Sequence, residues 1–298
     1  MATRRSGHPE AAKTNRRQPI VQAFDEGFEF DAMAQRPMYR ACPDWLIEHC
    51  DVTDRSTVVD LGCGSGILTR LLLERFRSAP SFRVIAVDPS EWELAIARKR
   101  VRDPRVTFIQ GRAQDAAAIV TNDVDAVLLC SVLHQIPVEE RQPVLGGAFA
   151  LVRPGGLVGA NTTFYEGAIG PESRPFYLRW LLETRKVLEM ASIPWRVPDA
   201  NSVAHQYLTQ QQHHDLFQSL GYQDIRTEVL QLEWQVEDWE ALSKYSVFIQ
   251  GVLWPDIDLA AGSRALIEGV WSTYRALGID SMRRGCLFCV ARRPTNAT

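Results

Sequence analysis

Residues 58–71 read VVDLGCGSGILTRL. A short β-branched run ends near Asp60, three glycines follow at alternate positions (Gly62, Gly64, Gly66), and an apolar helical pattern starts at Ile67. A strand that feeds a glycine turn and then a helix brings backbone close to a ligand. The dinucleotide fingerprint spaces its glycines G-x-G-x-x-G, whereas here Ile67 stands where that pattern has its third glycine. Asp60, two residues before the first glycine, is an acceptor suited to an ammonium, and it would repel a pyrophosphate. Asp88 closes the run RVIAVD about 20 residues beyond the turn, the spacing of a carboxylate that accepts both hydroxyls of a ribose. An amino group, a ribose and no phosphates together describe S-adenosylmethionine.

Outward from this stretch the pattern is regular. STVVDL, RVIAVD, RVTFIQG and DAVLLC read as strands, and LTRLLLERF and EWELAIARKR as helices between them. VLGGAFALVRPGGLVGANTTF adds a helix, a Pro-Gly-Gly turn at residues 154–156 and a further strand. Strands alternating with helices of this length imply right-handed crossovers and a parallel sheet covered on both faces. Beyond it FYLRWLLETRKVLEMA and LTQQQHHDLFQSLG read as helices, QDIRTEVLQLEW as a strand, residues 236–280 as helical, and CLFCVARR as the last strand.

The order VVDLGCGSG, VIAVDPS, VTFIQGRAQD, VDAVLLCSVLHQIP and LVRPGGLV resembles the class I S-adenosylmethionine-dependent methyltransferases, in particular the small-molecule, type 11-like group. The resemblance covers residues 57–164 well and the terminal elements more loosely. It implies an α/β, Rossmann-like fold: a seven-stranded, mostly parallel sheet with an antiparallel last strand, helices on both faces and helical lid insertions. The organisation it implies is a basic, poorly ordered tail over residues 1–19, a helical leader over 20–56, and a methyltransferase domain over 57–298 with substrate-cap insertions at about 165–205 and 236–280.

Position by position, the resemblance gives Asp60 and the backbone of Gly62, Cys63, Gly64 and Gly66 to the methionine part of S-adenosylmethionine, Asp88 to the ribose and Pro89 to adenine packing. Arg112, Ala113 and Gln114 fall at the adenine edge, and Arg112 departs from the aspartate that many relatives carry there. An arginine has no acceptor for the adenine amino group, a role that leaves Asp115 or a neighbouring amide. Cys130 and Ser131 match positions whose backbone faces the amino group and sulfonium, and Tyr39 or Arg36 would cap the carboxylate.

Methyl transfer from a sulfonium is an in-line displacement that needs alignment more than a dedicated acid. A base is required only if the acceptor keeps its proton. His134 in CSVLHQIP follows the fourth strand at the carboxyl-end crevice and is the candidate base, against an architectural reading. Tyr165 and Glu166 follow the fifth strand and are expected to face the same crevice. His213 and His214 are adjacent on a helix and His205 stands apart, so no metal site is expected.

The chain has 298 residues, 46% of them apolar, and a formal charge of -3. This is the composition of a globular chain without a broad basic nucleic-acid surface. No window spans a bilayer and the N-terminus lacks a signal-peptide core, which points to a cytoplasmic protein without a membrane partner. Cys286 and Cys289 form a C-x-x-C on a strand, where they point to opposite faces and read as structural. A homodimer is left open. CSVLHQIP stands where amino-group methyltransferases of nucleic acid or protein often carry N/D-P-P-Y/F. Aromatic residues concentrate in the leader and insertions: Phe24, Phe28, Phe30, Tyr39, Phe176, Tyr177, Trp180, Trp195, Trp239, Tyr245, Phe248, Trp254, Trp271 and Tyr274. They suggest a pocket for a small hydrophobic acceptor of polyketide, phenolic, quinone or isoprenoid type from secondary metabolism, with Arg174 and Arg179 as anchors for an acidic group. O-methylation leads C-methylation only by its frequency in the family. The reading of another class is a non-catalytic module that binds S-adenosylmethionine.

Overall fold

The computed structural model describes residue 28 and residues 30–120, 123–197 and 206–295. The basic tail, Phe24 and His205 lie outside them. In chain order the described elements are α1 (Asp31–Ala34), α2 (Pro37–His49), β1 (Thr57–Leu61), α3 (Ile67–Arg75), β2 (Arg83–Asp88), α4 (Glu91–Arg100), β3 (Val106–Gln110), α5 (Ala116–Ile119), β4 (Val124–Cys130), α6 (Val138–Leu151), β5 (Val152–Thr162), α7 (Arg174–Met190), α8 (Gln210–Ser219), β6 (Gln223–Gln235), α9 (Val236–Leu242), α10 (Ser246–Val252), α11 (Leu259–Leu277) and β7 (Ser281–Arg292).

The strands form one seven-stranded sheet in the order β3-β2-β1-β4-β5-β7-β6. β1 to β5 pair in parallel, and β7 inserts antiparallel between β5 and β6. The direction of the chain reverses at β1, because β2 and β3 build outward on one side and β4 on the other. Such a switch point opens a crevice at the strand carboxyl ends.

Strand alternation divides the interior into two layers. Val58, Val84, Ala126, Leu128, Cys286 and Phe288 pack toward α2, α3 and the cap formed by α7, α9, α10 and α11. Val59, Leu61, Val127, Leu129, Leu287 and Cys289 pack toward α5, α6 and α8. Cys286 and Cys289 therefore fall on opposite faces, both as buried free thiols. One local expectation is corrected. Pro154–Gly156 make no separate turn between helix and strand: α6 runs to Leu151, β5 begins at Val152, and the glycines form an irregularity inside the strand, with a register shift between Val124 and Ala126 on β4.

The cap is a core in its own right. The Phe176 ring lies 5.5 Å from both Trp239 and Tyr274, and Trp180 lies 5.2 Å from Trp239. Trp180 donates its indole N–H to the Leu266 carbonyl, and Tyr274 its hydroxyl to the Trp234 carbonyl. Most of the cap aromatics thus hold the cap together, and Trp271 is 36% exposed. No helix among the described residues is long and apolar enough to cross a membrane.

Candidate cofactor and acceptor site

At the switch point Asp60 and Asp88 end β1 and β2 on the same face of the sheet. Asp60 is 1% exposed and accepts the Thr69 hydroxyl at 2.6 Å. Burial pushes its carboxyl up to about 7, and the nearby Asp88 charge adds to the shift while the Thr69 bonds oppose it. Burial also raises Asp88, whose two oxygens accept the backbone N–H groups of Ser90 and Gly64, each at 2.9 Å. No Lys, Arg or His among the described residues forms an ion pair with either carboxylate. Two buried acids without a cation leave the negative charge at this end uncompensated within the described residues.

Most N–H groups of the glycine turn are engaged within the protein. Gly62 and Cys63 donate to the Val87 carbonyl, Gly64 to Asp88 and Gly66 to the Cys63 carbonyl. Three of these donors anchor the turn to β2 and the fourth closes the turn on itself, so none of the four is left for a phosphate. What it offers is room. A Cβ at Gly64 would meet only Glu93 Oε2, at 4.0 Å, and would otherwise project into open space beside Asp88. At Gly62, by contrast, φ is +82° and a Cβ would come within 2.5 Å of Val132, so this position is closed to any side chain.

Sequence reasoning missed the residues that close this end. Glu93 sits in the first turn of α4 and is 4% exposed beside the turn, placed by the Ser90 cap, whose hydroxyl accepts the Glu93 N–H. Ser65 donates to Asp31 of α1 at 2.5 Å, and Arg100 forks onto the same carboxylate, so the leader is tied across the glycine turn. Burial works to raise Asp31, but the bonds from Arg100 and Ser65 together hold it below the usual carboxylate range. Helical periodicity marked none of these residues, because an acid in the first turn of a helix is ordinary helix chemistry.

Along the crevice toward β4, the Tyr39 hydroxyl lies 3.5 Å from the Cys130 thiol. Burial pushes that thiol up to about 12, so it stays protonated. Ser131 has φ of +61°, unusual for a side-chain-bearing residue, and donates its N–H to Asn161 Oδ1 at 3.1 Å. Pro89 is exposed between Asp88 and the Ser90 cap, as an adenine-packing surface requires. Arg36 does not join Tyr39: its Nε pairs with buried Asp238 at 2.5 Å and links the leader to α9. Arg112 and Gln114 both bond Glu140 in the first turn of α6.

At the acceptor end the expected catalytic group does not converge. Tyr165 is 6% exposed and packs on the opposite layer, where its hydroxyl lies over Gly285: β5 ends at Thr162 and the chain bends at Thr163, which breaks the alternation that would have kept residue 165 on the side of Asn161. Glu166 is exposed, and its backbone bridges to Thr209. His134 pairs its Nδ1 with the Thr162 hydroxyl at 3.1 Å and stacks at 4.7 Å on Phe164. Burial first, then the charges of Arg141 and Arg284 and the nearby His213, lower its pKa to about 3. Arg179 pairs with Glu183 on the exposed side of α7 and Arg174 is exposed at its start, so neither enters the crevice. Among the described residues no three His, Cys, Asp or Glu side chains cluster as metal ligands. His213 instead directs its Nδ1 to the Thr209 carbonyl.

Residues 58–156 match the family model of a methyltransferase domain. That segment carries a methyltransferase domain. A trans-aconitate 2-methyltransferase of Acidovorax sp. strain JS42 is 49% identical over 67 residues, 22% of this chain and 24% of that protein. A ubiquinone biosynthesis O-methyltransferase of Stutzerimonas stutzeri is 27% identical over 148 residues, 45% of this chain and 60% of that protein. The chain thus spans between a quarter and three-fifths of the length of these curated relatives. Among solved structures, a Bacillus halodurans C-125 protein described provisionally as a methyltransferase superposes with a TM-score of 0.55 at 15% identity, over 86% of this chain and 100% of that one. At that identity the likeness is one of fold. The methyltransferase domain ends before β5 is complete, so the acceptor end lies largely outside the matched segment.

Proposed function

We propose that this chain transfers a methyl group from S-adenosylmethionine to a small acceptor held between the carboxyl ends of β4 and β5 and the cap. The observation that carries the reading is the pair of buried, cation-free carboxylates, Asp60 and Asp88, on either side of the open space at Gly64. When bound, the cofactor supplies an electrophilic methyl on a sulfonium. Asp60 accepts from the ammonium end, Asp88 accepts from the ribose hydroxyls, and exposed Pro89 packs on the adenine. Tyr39, Cys130 and Ser131 line the passage to the acceptor, and Phe30, Phe164 and Tyr245 wall it. The Phe30 ring stands 5.1 Å from Tyr39 and 5.2 Å from Tyr245, which excludes water from the line of transfer.

The acceptor is a small molecule with an apolar or aromatic body. O-methylation is favoured over C-methylation, supported by the name of the ubiquinone O-methyltransferase relative. His134 serves as scaffold for the loop after β4 rather than as base, so the acceptor oxygen arrives ionised or loses its proton to water. Orientation alone then supplies about 7–11 kcal/mol of barrier lowering. Incubating the chain with S-adenosylmethionine and a panel of phenols, hydroxyquinones and small carboxylic acids tests the reading. Formation of S-adenosylhomocysteine together with a methylated product is the expected result. Tight cofactor binding without product from any acceptor would instead favour the non-catalytic module.

A further inference from the structure

The crevice holds a buried cation without an anion. Arg284 on β7 is 5% exposed. Its Nε and Nη2 donate to the Thr163 carbonyl at 3.0 and 2.7 Å, and its Nη1 donates to the Tyr177 hydroxyl at 2.7 Å. Among the described residues no carboxylate lies within ion-pair distance of it. A guanidinium has five N–H donors and does not lose its charge at any physiological pH. The three bonds leave one N–H on each Nη unused. Those two remaining donors are free to bind an oxyanion.

The surroundings hold the fork in place. Its central carbon stands 5.0 Å from the Phe164 ring, 5.5 Å from Tyr177 and 5.7 Å from Trp239. Face-on contact with aromatic rings compensates part of the desolvation of the charge, but it adds no counter-ion. A second buried guanidinium lies near. Arg141 is 2% exposed, bonds the Ile136 carbonyl through Nε, and leaves its Nη2 without a partner. His134 stands within the electrostatic reach of both arginines and of His213, and is held neutral by them and by burial. This end of the molecule is built to be positive.

Its place in the fold decides what the anion belongs to. Arg284, Cys286 and Phe288 alternate onto the layer that carries Asp60 and Cys130. Asn161 bonds Cys286 on one side and the Ser131 N–H on the other, so a line of contacts runs from the cofactor passage to Cys286, two residues along β7 from Arg284. Thr163, which Arg284 grips, is the first residue beyond β5, at the carboxyl-end crevice.

We infer that Arg284 binds an oxyanion, a carboxylate or a phosphate, carried by the methyl acceptor, through its two unused N–H groups. Naming the anion's carrier as the acceptor rests on the methyl-transfer reading; the anion site itself does not. The competing account is that Arg284 only ties Thr163 to the cap.

Binding of benzoate, phenyl phosphate and uncharged benzamide to the full chain is measured by thermal shift and calorimetry at constant ionic strength, with and without S-adenosylhomocysteine. The expected result is at least tenfold tighter binding of an anion than of benzamide, with the tighter of benzoate and phenyl phosphate identifying the class. In Arg284→Gln the anion affinity falls at least tenfold while S-adenosylhomocysteine affinity stays within twofold, and Arg284→Lys recovers part of the loss. Equal affinity for benzoate, phenyl phosphate and benzamide in the wild type, or an anion preference that survives Arg284→Gln, would overturn the inference. If Arg284→Gln does not fold, the ¹⁵N NMR signal of the wild-type Arg284 guanidinium decides: displacement by the anion but not by benzamide supports the site, and an unmoved signal overturns it. Anion discrimination in a chain that does not bind S-adenosylhomocysteine would leave the site standing and remove the methyl-transfer reading.

Discussion

The two ends of the crevice carry opposite charge without internal neutralisation. At the β1–β2 end, Asp60 and Asp88 are buried close together, and at the β5–β7 end Arg141 and Arg284 are buried with two histidines whose pKa values burial lowers. A protein that wanted only stability would neutralise each group locally, since a buried charge without its partner is costly. Keeping them apart is the arrangement expected for a ligand pair of which one is a cation and the other an anion. The ends also differ in construction. The acidic end is held locally, by the N–H groups of Gly64 and Ser90 on Asp88, and the basic end by contacts between distant parts of the chain, Arg284 of β7 with the Thr163 carbonyl and the Tyr177 hydroxyl of α7.

That difference in construction is testable, most severely at Gly62. Alanine there must adopt a positive φ and place its Cβ within 2.5 Å of Val132. Left-handed strain of about 1–2 kcal/mol and overpacking of about 1–3 kcal/mol are both expected. Chemical unfolding of Gly62→Ala should therefore show a loss of about 2–5 kcal/mol. A loss under about 0.5 kcal/mol, the usual scale of a surface change, would mean that the turn is not the rigid half of the site. Next in size, Asp88→Ala removes the acceptor for the ribose and frees two N–H groups. Calorimetric affinity for S-adenosylmethionine should drop at least tenfold, about 1.4 kcal/mol, and an unchanged affinity would remove the ribose assignment.

The same contrast explains what could be read from the chain. VVDLGCGSG and VIAVD place Asp60, Gly62 and Asp88 by local grammar: a strand end and a glycine turn fix backbone, and backbone positions these groups whatever lies elsewhere. Arg284 had no such signature. It stands in a strand whose alternation is legible, but its partners come from Thr163, Tyr177, Phe164 and Trp239, and only the insertion of β7 beside β5 brings them together. Tyr165 shows the opposite error: nearness to a strand end in sequence suggested the crevice, while the bend after β5 breaks the alternation and carries its ring to the other layer. Arg174 and Arg179, chosen for charge on a helix, turned out to lie on its solvent side.

The acidic end should also announce itself through pH. Because the folded-state pKa of Asp60 is raised from 3.8 to about 7, its contribution to the stability of the ligand-free chain is fully present below about pH 4 and is lost as pH rises through about 7. Asp88 is displaced in the same direction. Cofactor binding should do the reverse. A cationic ligand favours the ionised carboxylate, so affinity rises with pH between 5 and 7, by no more than about tenfold per unit for one proton. Calorimetry in buffers of different ionisation enthalpy would show proton release on binding near pH 6. Asp60→Asn should flatten most of this slope. A slope as steep in the variant as in the wild type would assign it to another group.

The smallest effect is expected at His134, and it separates the two ends most sharply. Its folded-state pKa is lowered to about 3, so the ring is neutral from pH 5 to 8 and any stability linked to it is present above about 6.5 and lost as pH falls toward 3. A base in the transition state contributes typically about 10²–10⁴-fold. A neutral ring that holds the Thr162 hydroxyl and packs on Phe164 contributes position instead. His134→Gln keeps an amide within reach of Thr162. With a phenolic acceptor its kcat/KM should change less than about threefold, and the pH–rate profile should keep its shape. A loss of about a hundredfold with a displaced acidic limb would restore the base and require that the cofactor or acceptor, once bound, raises this imidazole by several units. That outcome would also tie the two ends together, because an anion on Arg284 is the group placed to do it: neutralising a charge that now lowers the ring would move its pKa upward. Measuring the His134 ring titration by NMR with and without benzoate therefore distinguishes a ring that is fixed in its role from one that the acceptor switches on.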